Sequence, residues 1–334
     1  MINLENLKIV LSSPKDIVIT SHRNPDGDAV GSSLALYHFL KTYNHSITVA
    51  FPSEFPPIFD WMKDSDKIMI YDIHTEELNA KIDQADLVFA LDYNSLDRID
   101  RMGDYIRKAE KQIAMIDHHL YPDDFAEFVF SDTSASSTCE MIYDFIQMLD
   151  KDKDLTLEIG EFIYTGILTD TGSFKYATSP KLFRIVSALM EKGIDNDKLQ
   201  GAIFNSLNIK NLKLLGHCLN NRMEYLEEFK TGIITLSKKD YEHFDIQRGD
   251  TEGIVNYLLM VKDIHLAAFI TEQPTIVKIS LRSKGDIAVN EICSKYFKGG
   301  GHKNASGGAF YGTLSNTLKK FKEILPTVSK LQTA

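Results

Sequence analysis

The sequence predicts an α/β protein of two domains, in which a parallel sheet with helices on both faces precedes a smaller domain with a mixed sheet. The length of 334 residues suits two domains of about 150 residues each. Strand-like apolar runs alternate with helical patterns in the first third of the chain, which is typical of parallel sheets. After residue 222 the strands follow one another with fewer helices between them, which predicts the mixed sheet.

Five apolar runs predict the strands of the N-terminal domain, and their near-continuous apolar character indicates a sheet that is covered on both faces. They are residues 16–21, 47–51, 67–71, 86–91 and 112–116. Helices are expected at residues 27–43, where apolar residues recur at helical spacing, and around residues 99–110. Four more helices are then predicted, the last with a break inside it, at residues 138–149, 158–168, 180–192 and 198–221.

A polar stretch that contains a glycine, residues 191–197, is a plausible boundary between the two domains. We expect a catalytic domain at residues 1–190, a helical linker at 191–222 and a substrate domain at 223–334. Within the substrate domain, the predicted strands are residues 232–237, 265–271 and 275–282, and the predicted helices are residues 286–296 and 314–325.

The composition excludes several classes of protein. Apolar residues make up 43% and charged residues 25%, a mixture typical of globular proteins and not of disordered, collagen-like or coiled-coil chains. The apolar runs are far shorter than the ~20 residues of a membrane helix, and the N-terminal residues do not resemble a signal peptide. Because the three cysteines are scattered, we expect no disulfide framework and a cytoplasmic location.

Aspartate and histidine residues collect at the ends of four predicted elements. The first motif, His22-Arg-Asn-Pro-Asp26-Gly-Asp28, lies between a strand and a helix, where a parallel sheet places its ligands. The other three positions are Asp92, the run Asp117-His118-His119, and Asp170. Each of them alone is more often a helix cap or a surface group, but together they predict one metal-binding crevice.

Divalent cations would resolve the conflict that so many carboxylates create. Carboxylates that converge without counter-ions repel one another and raise one another's pKa. Mixed carboxylate and imidazole ligands suit Mn, Fe, Co or Zn better than Ca. Two such metals about 3.5–4 Å apart are the usual clamp for phosphoryl displacement, and a carboxylate commonly bridges them.

A glycine-rich segment near the C-terminus predicts an anion-binding site. Five of the ten residues from Gly299 to Gly308 are glycine, which permits a close approach of backbone amides to an anion. The segment lies in the last 59 residues, which carry a charge of +7. Arg282 precedes it and could bind a phosphate group with its guanidinium fork.

In this order the motifs resemble those of the DHH phosphoesterase family. The segment Gly299-Gly-Gly-His302-Lys-Asn-Ala-Ser306-Gly is similar to the glycine-rich motif of the DHH-associated substrate domain. The resemblance covers nearly the whole chain, and it implies hydrolysis of phosphoesters with two divalent cations, most commonly Mn²⁺.

The resemblance also implies a role for each residue of the motifs. His22 and Asp26 would hold one metal ion, and a second ion would be held by Asp28, His118 and Asp170. Asp92 would bridge the two ions, Asp117 would orient a ligand histidine, and His119 would face the substrate phosphate. The substrate-binding residues would be His119, Arg282, Gly300, Gly301, His302 and Ser306.

The resemblance leaves the substrate open among three classes. Length and layout are most similar to the nano-RNase group, which cleaves short oligonucleotides and removes the 3′-phosphate of phosphoadenosine phosphate. Linear or cyclic dinucleotides are the alternative, and pyrophosphate or polyphosphate is the third class. A nucleotide sensor without catalytic activity on the same scaffold is a further hypothesis, and a homodimer is common among relatives.

The charge distribution favours short substrates. The net charge is −10, but residues 1–185 carry −14 and residues 186–334 carry +4. Four of the acidic residues are expected metal ligands, and the basic C-terminal part would face the phosphates of the substrate. Because the sequence has no long basic stripe, we expect short oligonucleotides or phosphorylated nucleotides as partners, and neither long duplexes nor a membrane.

Overall fold

The computed structural model describes residues 4–149, 154–205, 207–247 and 249–330. The chain divides into two compact units, Met1–Ser206 and Leu207–Ala334. Each unit contains one six-stranded sheet with helices packed against it, so the predicted α/β fold class is confirmed.

The sheet of the N-terminal unit consists of six parallel strands. They are β1 (Asp16–Ser21), β2 (Ser46–Phe51), β3 (Met69–Ile70), β4 (Leu87–Leu91), β5 (Gln112–Asp117) and β6 (Phe128–Ser131). Their order across the sheet is β3-β2-β1-β4-β5-β6, so β1 pairs with β2 on one side and with β4 on the other. The chain therefore changes direction across the sheet between β1 and β4, and ligands of such sheets bind at the carboxyl ends of the strands at this point.

Eight helices of the N-terminal unit are described. They are α1 (Leu4–Val10), α2 (Gly27–Lys41), α3 (Thr75–Gln84), α4 (Asp100–Ala109), α5 (Thr138–Met148), α6 (Leu157–Asp170), α7 (Pro180–Glu191) and α8 (Asn196–Phe204). Alternate residues of a strand face opposite sides of the sheet. Accordingly, Ile17 and Ile19 of β1 belong to the apolar cluster with α2, α5 and α6, whereas Val18 belongs to the cluster with α3 and α4.

Two glycines allow helices α2, α5 and α6 to pack unusually closely. A Cβ atom at Gly31 of α2 would lie 2.6 Å from the carbonyl oxygen of Phe162 in α6. At Gly166 of α6 a Cβ atom would lie 2.2 Å from Cys139 Sγ and 2.6 Å from Asp28 Oδ1. All three distances are too short for a Cβ atom, so glycine is required at these two positions for the close approach.

The sequence patterns missed three elements of this unit, helices α1 and α3 and strand β6, and lengthened a fourth. Helix α3 was not predicted, because it buries only Leu78 and Ile82 among polar residues. Strand β6 has four residues and lies at the edge of the sheet, so its apolar pattern is short. The strand expected at residues 67–71 is only two residues long, β3, because residues 65–67 form a 3₁₀ turn.

The C-terminal unit is built on a mixed sheet. Its strands are β7 (Met223–Leu226), β8 (Thr231–Leu236), β9 (Leu266–Glu272), β10 (Val277–Ser283), β11 (Gly300–His302) and β12 (Ala305–Phe310), in the order β11-β12-β10-β9-β8-β7. Strands β8 and β9 are parallel, and the other neighbouring pairs are antiparallel.

Five helices of the C-terminal unit are described. They are α9 (Ile209–Asn221), α10 (Lys238–His243), α11 (Ile254–Leu259), α12 (Val289–Tyr296) and α13 (Leu314–Lys330). The break expected within residues 198–221 separates α8 from α9, and these two helices belong to different units. Within the described ranges, no helix of either unit has both the length and the apolar character needed to cross a bilayer.

A buried carboxylate, Asp240, joins helix α10 to the end of α9. Its Oδ2 accepts hydrogen bonds from Ser237 N at 2.8 Å and Ser237 Oγ at 2.7 Å, and its Oδ1 accepts one from Arg222 Nη2 at 2.7 Å. His217 Nε2 lies 2.9 Å from the same Oδ1 atom. Burial alone would raise the pKa of Asp240, but these donors outweigh it and lower the pKa from 3.8 to about 2.

We expect Asp240→Asn to lower the free energy of unfolding by about 2 kcal/mol at pH 7, because one pKa unit corresponds to about 1.4 kcal/mol. Since the folded-state pKa is the lower one, this stability is present above pH 4 or so and is lost as the pH falls towards 2. Urea unfolding at pH 7 and at low pH measures the difference. The exposed Asp263→Asn is the control, and an equal loss in both variants, or at both pH values, would contradict the prediction.

Candidate metal centre

The predicted ligand residues lie together at the carboxyl ends of three neighbouring strands. His22 directly follows β1, Asp92 directly follows β4, and His118 directly follows β5. Strand β4 pairs with β1 on one side and with β5 on the other. The parallel register therefore brings the three side chains to one edge of the sheet, where the chain changes direction between β1 and β4.

Asp26 and Asp28 enter the centre from the beginning of helix α2. Asp26 is the N-cap residue, and its Oδ1 accepts hydrogen bonds from Asp28 N at 3.0 Å and Ala29 N at 3.1 Å. The cap starts the helix at Gly27, inside the first motif, so Asp28 lies in the first turn, where it is completely buried. Asp26 is thus both a helix cap and a member of the cluster.

Asp92 lies at the middle of the centre and has potential ligands on both sides. Its Oδ2 lies 3.2 Å from His22 Nε2, and its Oδ1 lies 3.5 Å from His118 Nε2. Ligand atoms of His22, Asp26 and Asp92 lie within 4.8 Å of one another, and so do those of Asp28, Asp92 and His118. This geometry fits a carboxylate that serves two cations, one on each side.

Asp170 joins the second group from the end of helix α6. Its Oδ2 lies 3.3 Å from His118 Nε2. The close packing of α2, α5 and α6 at Gly31 and Gly166 brings the last turn of α6 towards the first turn of α2. All six residues expected to hold metal ions are therefore brought together by the fold.

The carboxylates of the centre have opposite pKa shifts. Burial, and then repulsion from Asp92, raises the pKa of Asp28 to about 7. Burial and the charge of Asp28 raise the pKa of Asp170 well above its ordinary value. Burial would also raise the pKa of Asp92, but hydrogen bonds with His118 and His22 outweigh it and hold that pKa well below 3.8.

The two imidazoles of the centre take up protons in response to this negative charge. Burial lowers the pKa of His22, but hydrogen bonds with Asp26 and Asp92 outweigh it and raise the pKa to about 10. The pKa of His118 is raised well above 6.5 by Asp92 and Asp170, again against burial. Without cations, protons therefore balance the carboxylates, and buried carboxylates and imidazoles in this arrangement fit divalent cations in their place.

The two histidines of the run after β5 are held differently. His119 Nδ1 donates to Asp117 Oδ1 at 2.7 Å, and the backbone N–H of His119 donates to Asp117 Oδ2. His118 Nδ1 lies 3.3 Å from the carbonyl oxygen of Ala135. Asp117 was expected to orient a metal-ligating histidine, but its hydrogen bonds hold His119, the histidine expected to face the substrate, because a carboxylate can accept from the second residue after it in a tight turn.

The sequence patterns missed the part that the beginning of helix α5 takes in the centre. Thr138 N donates to Asp28 Oδ2 at 2.6 Å, and Cys139 N donates to Asp28 Oδ1 at 2.8 Å. Thr138 Oγ1 also donates to Asp92 Oδ1 at 3.1 Å. The only signal was the Ser/Thr-rich approach to α5, which is read as a helix cap, and Ser137 does cap α5.

The glycine-rich segment of the C-terminal unit forms a β-hairpin. Gly300 pairs with Gly307, Gly301 with Ser306 and His302 with Ala305. Ser306 Oγ donates to the Gly300 carbonyl at 2.6 Å across the hairpin. The segment is therefore an ordered edge of the sheet.

Arg282 and His302 lie on the same face of this sheet. Arg282 of β10 is directly opposite Ala305 of β12, and Ala305 is directly opposite His302 of β11. Residues directly opposite each other in antiparallel strands share a face. Two strand spacings separate the two backbones, about 10 Å, which is within reach of one phosphorylated ligand.

Two glycines of the hairpin have different reasons to be glycine. Gly301 has φ +139°, and a Cβ atom there would lie 2.7 Å from the Ala305 carbonyl oxygen, so conformation and space both require glycine. A Cβ atom at Gly300 would meet nothing within 4 Å in the part of the chain that the structure describes. Packing therefore does not explain Gly300, which is exposed.

Models of two protein families match the chain. The model of the DHH family, N-terminal domain, matches residues 16–167, and the model of the DHHA1 domain matches residues 230–331. The first match includes every expected metal ligand except Asp170, and the second includes Arg282 and the hairpin.

The chain is also similar to bacterial proteins over most of its length. It is 30% identical to the probable bifunctional oligoribonuclease and PAP phosphatase NrnA of Streptococcus mutans, over 90% of this chain and 91% of that protein. It is 28% identical to the bifunctional oligoribonuclease and PAP phosphatase NrnA of Bacillus subtilis, over 88% and 89%. A crystal structure of an exopolyphosphatase-related protein from Bacteroides fragilis shares 38% identity with a TM-score of 0.93, covering 99% of this chain and 97% of that one.

We expect Mn²⁺ binding to release protons at pH 7. His22, with a pKa of about 10, is protonated at this pH and must lose its proton to become a ligand, and Asp28, with a pKa of about 7, is half protonated. The affinity for Mn²⁺ should therefore rise as the pH is raised from 6 to 9. Calorimetry in two buffers of different ionisation enthalpy measures the proton release.

The matched control for this titration is His243→Gln, which removes an exposed histidine of the C-terminal unit. Its proton release should equal that of the unchanged protein, whereas His22→Gln should release fewer protons. A heat of binding that does not depend on buffer or pH would contradict the prediction.

Proposed function

We infer that this chain, which belongs to the DHH family of phosphoester hydrolases, cleaves short oligonucleotides to mononucleotides and removes the 3′-phosphate of phosphoadenosine phosphate. The observation that carries the proposal is the position of Asp92, whose two carboxylate oxygens lie 3.2 Å and 3.5 Å from His22 and His118. A carboxylate shared in this way suits the paired cations of phosphoryl transfer.

Each part of the centre has a task in this proposal. His22, Asp26 and Asp92 would hold one divalent cation, and a second would be held by Asp28, Asp92, His118 and Asp170. Carboxylate and imidazole ligands suit Mn²⁺, and two such cations would supply Lewis acidity towards a phosphoryl group. The hydrogen bond from His119 to Asp117 fixes the orientation of the His119 ring, which would face the substrate phosphate.

The C-terminal unit offers groups that would bind an anionic substrate. Arg282, His302 and the open backbone at Gly300 offer a cation, an imidazole and amide groups along one edge of the sheet. Gly301 and Ser306 would stabilise the conformation of this hairpin. The +7 charge of the last 59 residues supports an anionic ligand, and the absence of a long basic stripe in the sequence supports a short one.

The names of the relatives support the substrate class. The Streptococcus mutans and Bacillus subtilis proteins are named for oligoribonuclease and PAP phosphatase activities.

The three cysteines of this chain are free and buried, which supports the expected cytoplasmic location.

Hydrolysis of polyphosphate or pyrophosphate is the second candidate, because the Bacteroides fragilis protein is described as exopolyphosphatase-related. Both candidates require the same two cations. They differ in the bond that is cleaved, a phosphoester in the first case and a phosphoanhydride in the second, so a comparison of products separates them.

We expect the Mn²⁺-loaded protein to release mononucleotides from RNAs of two to five nucleotides, and Asp92→Asn to lower kcat/KM by about three orders of magnitude or more. Asparagine is the suitable change because Asp92 has φ +63°, a left-handed conformation that asparagine tolerates. Product analysis on short RNAs, phosphoadenosine phosphate, cyclic dinucleotides and pyrophosphate is the measurement.

The control for this change is Asp60→Asn, which neutralises an exposed carboxylate of the same unit. Turnover of pyrophosphate alone would favour the second candidate. No turnover of any of these compounds by protein with bound Mn²⁺ would refute the proposed function, and near-normal turnover by Asp92→Asn would refute the bridging role of Asp92.

We expect Arg282→Ala to lower kcat/KM for a dinucleotide by about tenfold to a hundredfold, the usual loss of a hydrogen bond to a charged group. KM should rise if Arg282 binds substrate and transition state equally, and kcat should fall if its contact forms in the transition state. Lys278→Ala is the matched control, since Lys278 lies four residues earlier on β10. An unchanged kcat/KM in Arg282→Ala would remove Arg282 from the site.

A further inference from the structure

Arg98 is a partly buried arginine whose guanidinium group has no carboxylate partner among the described residues. It lies on the 3₁₀ turn Leu96–Ile99, which follows Asp92 and β4. Its backbone carbonyl accepts a hydrogen bond from Arg23 N at 2.9 Å, and this bond ties the turn to the residue after His22. Arg98 is therefore anchored between two of the segments that carry the metal centre.

The acidic residues around Arg98 all pair with other arginines. Asp97, directly before it, lies 2.8 Å from Arg107 Nη2. Asp100, two residues after it, lies 3.1 Å from Arg23 Nη1. Arg101 is paired as well, since its Nη2 lies 3.1 Å from Asp72 Oδ1. Arg98 thus differs from these arginines in having no ion pair with a carboxylate among the described residues, although carboxylates are adjacent to it in the sequence.

Arg98 lies on the turn that follows Asp92 and is tied to the residue after His22, and from there its charge reaches the imidazole of His119. Burial and then this charge lower the pKa of His119 against the opposing hydrogen bond to Asp117. A solvated surface arginine would be exposed, whereas Arg98 is partly buried. A guanidinium group that is partly withdrawn from water and has no counter-ion is stabilised when an anion binds to it.

We propose that Arg98 binds the phosphate group of the substrate beside His119, as a cationic ligand supplied by the N-terminal unit. This inference rests on the proposed function, because it places the reacting phosphate next to His119. The planar guanidinium fork can donate two hydrogen bonds to two oxygens of one phosphate group, which the ammonium group of a lysine cannot match.

The experiment measures binding of adenosine monophosphate and turnover of the dinucleotide ApA by the full chain loaded with Mn²⁺. We expect Arg98→Ala to weaken adenosine monophosphate binding by about tenfold or more, the factor for losing a hydrogen bond to a charged group. Arg98→Lys should recover only part of the affinity. Millimolar guanidinium should restore part of the turnover of Arg98→Ala, since it can occupy the vacated position.

Two comparisons show whether Arg98 acts on the phosphate itself. Arg101→Ala removes a neighbouring arginine that is paired with Asp72, and we expect it to bind adenosine monophosphate normally. In Arg98→Ala the affinity for Mn²⁺ and the unfolding midpoint should be unchanged. A parallel loss of Mn²⁺ affinity would overturn the proposal, because Arg98 would then act through the metal centre.

The outcomes also separate this proposal from the proposed function. If the unchanged protein hydrolyses ApA and Arg98→Ala binds and hydrolyses within twofold of it, the role of Arg98 is refuted and the function stands. If no substrate is hydrolysed but adenosine monophosphate binding depends on Arg98, the phosphate site stands and the proposed function fails.

Discussion

The N-terminal unit is organised around the carboxylate of Asp92. It lies between His22 and His118, with one oxygen towards each imidazole, and Thr138 donates a third contact. The residue has a left-handed backbone, φ +63°, which aspartate tolerates better than most residues and which is a strained conformation typical of functional sites. The strand order makes this position possible, because β4 is the one strand that pairs with both β1 and β5.

The fold also buries other carboxylates of the centre and surrounds them with groups that stabilise their charge. Asp28 is completely buried and is held by two backbone N–H groups at the beginning of α5, whose positive end favours an anion. Gly31 and Gly166 remove the side chains that would keep α2, α5 and α6 apart. Helix packing, capping and the glycine positions thus bring several carboxylates together. Protons balance their negative charge in the absence of cations, and divalent cations would balance it in the proposed function.

The C-terminal unit meets a different requirement. Its glycine-rich hairpin exposes Gly300, while the conformation of Gly301 and the hydrogen bond from Ser306 Oγ to the Gly300 carbonyl hold β11 against β12. Because Arg282 and His302 share a face of this sheet, residues 20 positions apart in the sequence become neighbours in register. Asp240 joins α10 to the end of α9, and α10 follows β8, which lies near the other edge of the sheet from the hairpin strands β11 and β12.

The sequence by itself determined the α/β class, the buried strands β1, β4 and β5, and the Asp and His residues of the centre, because apolar runs and short motifs are local signals. It did not reveal the contacts of Thr138, the choice of His119 as the partner of Asp117, or the unpaired state of Arg98. The contacts of Thr138 depend on the packing of α5 against α2, and the state of Arg98 depends on which other arginines pair with Asp97 and Asp100. The bond between Asp117 and His119 depends on the conformation of the turn after β5. Only the tertiary structure decides such competitions, since they are settled by distance in space and not by order in the sequence.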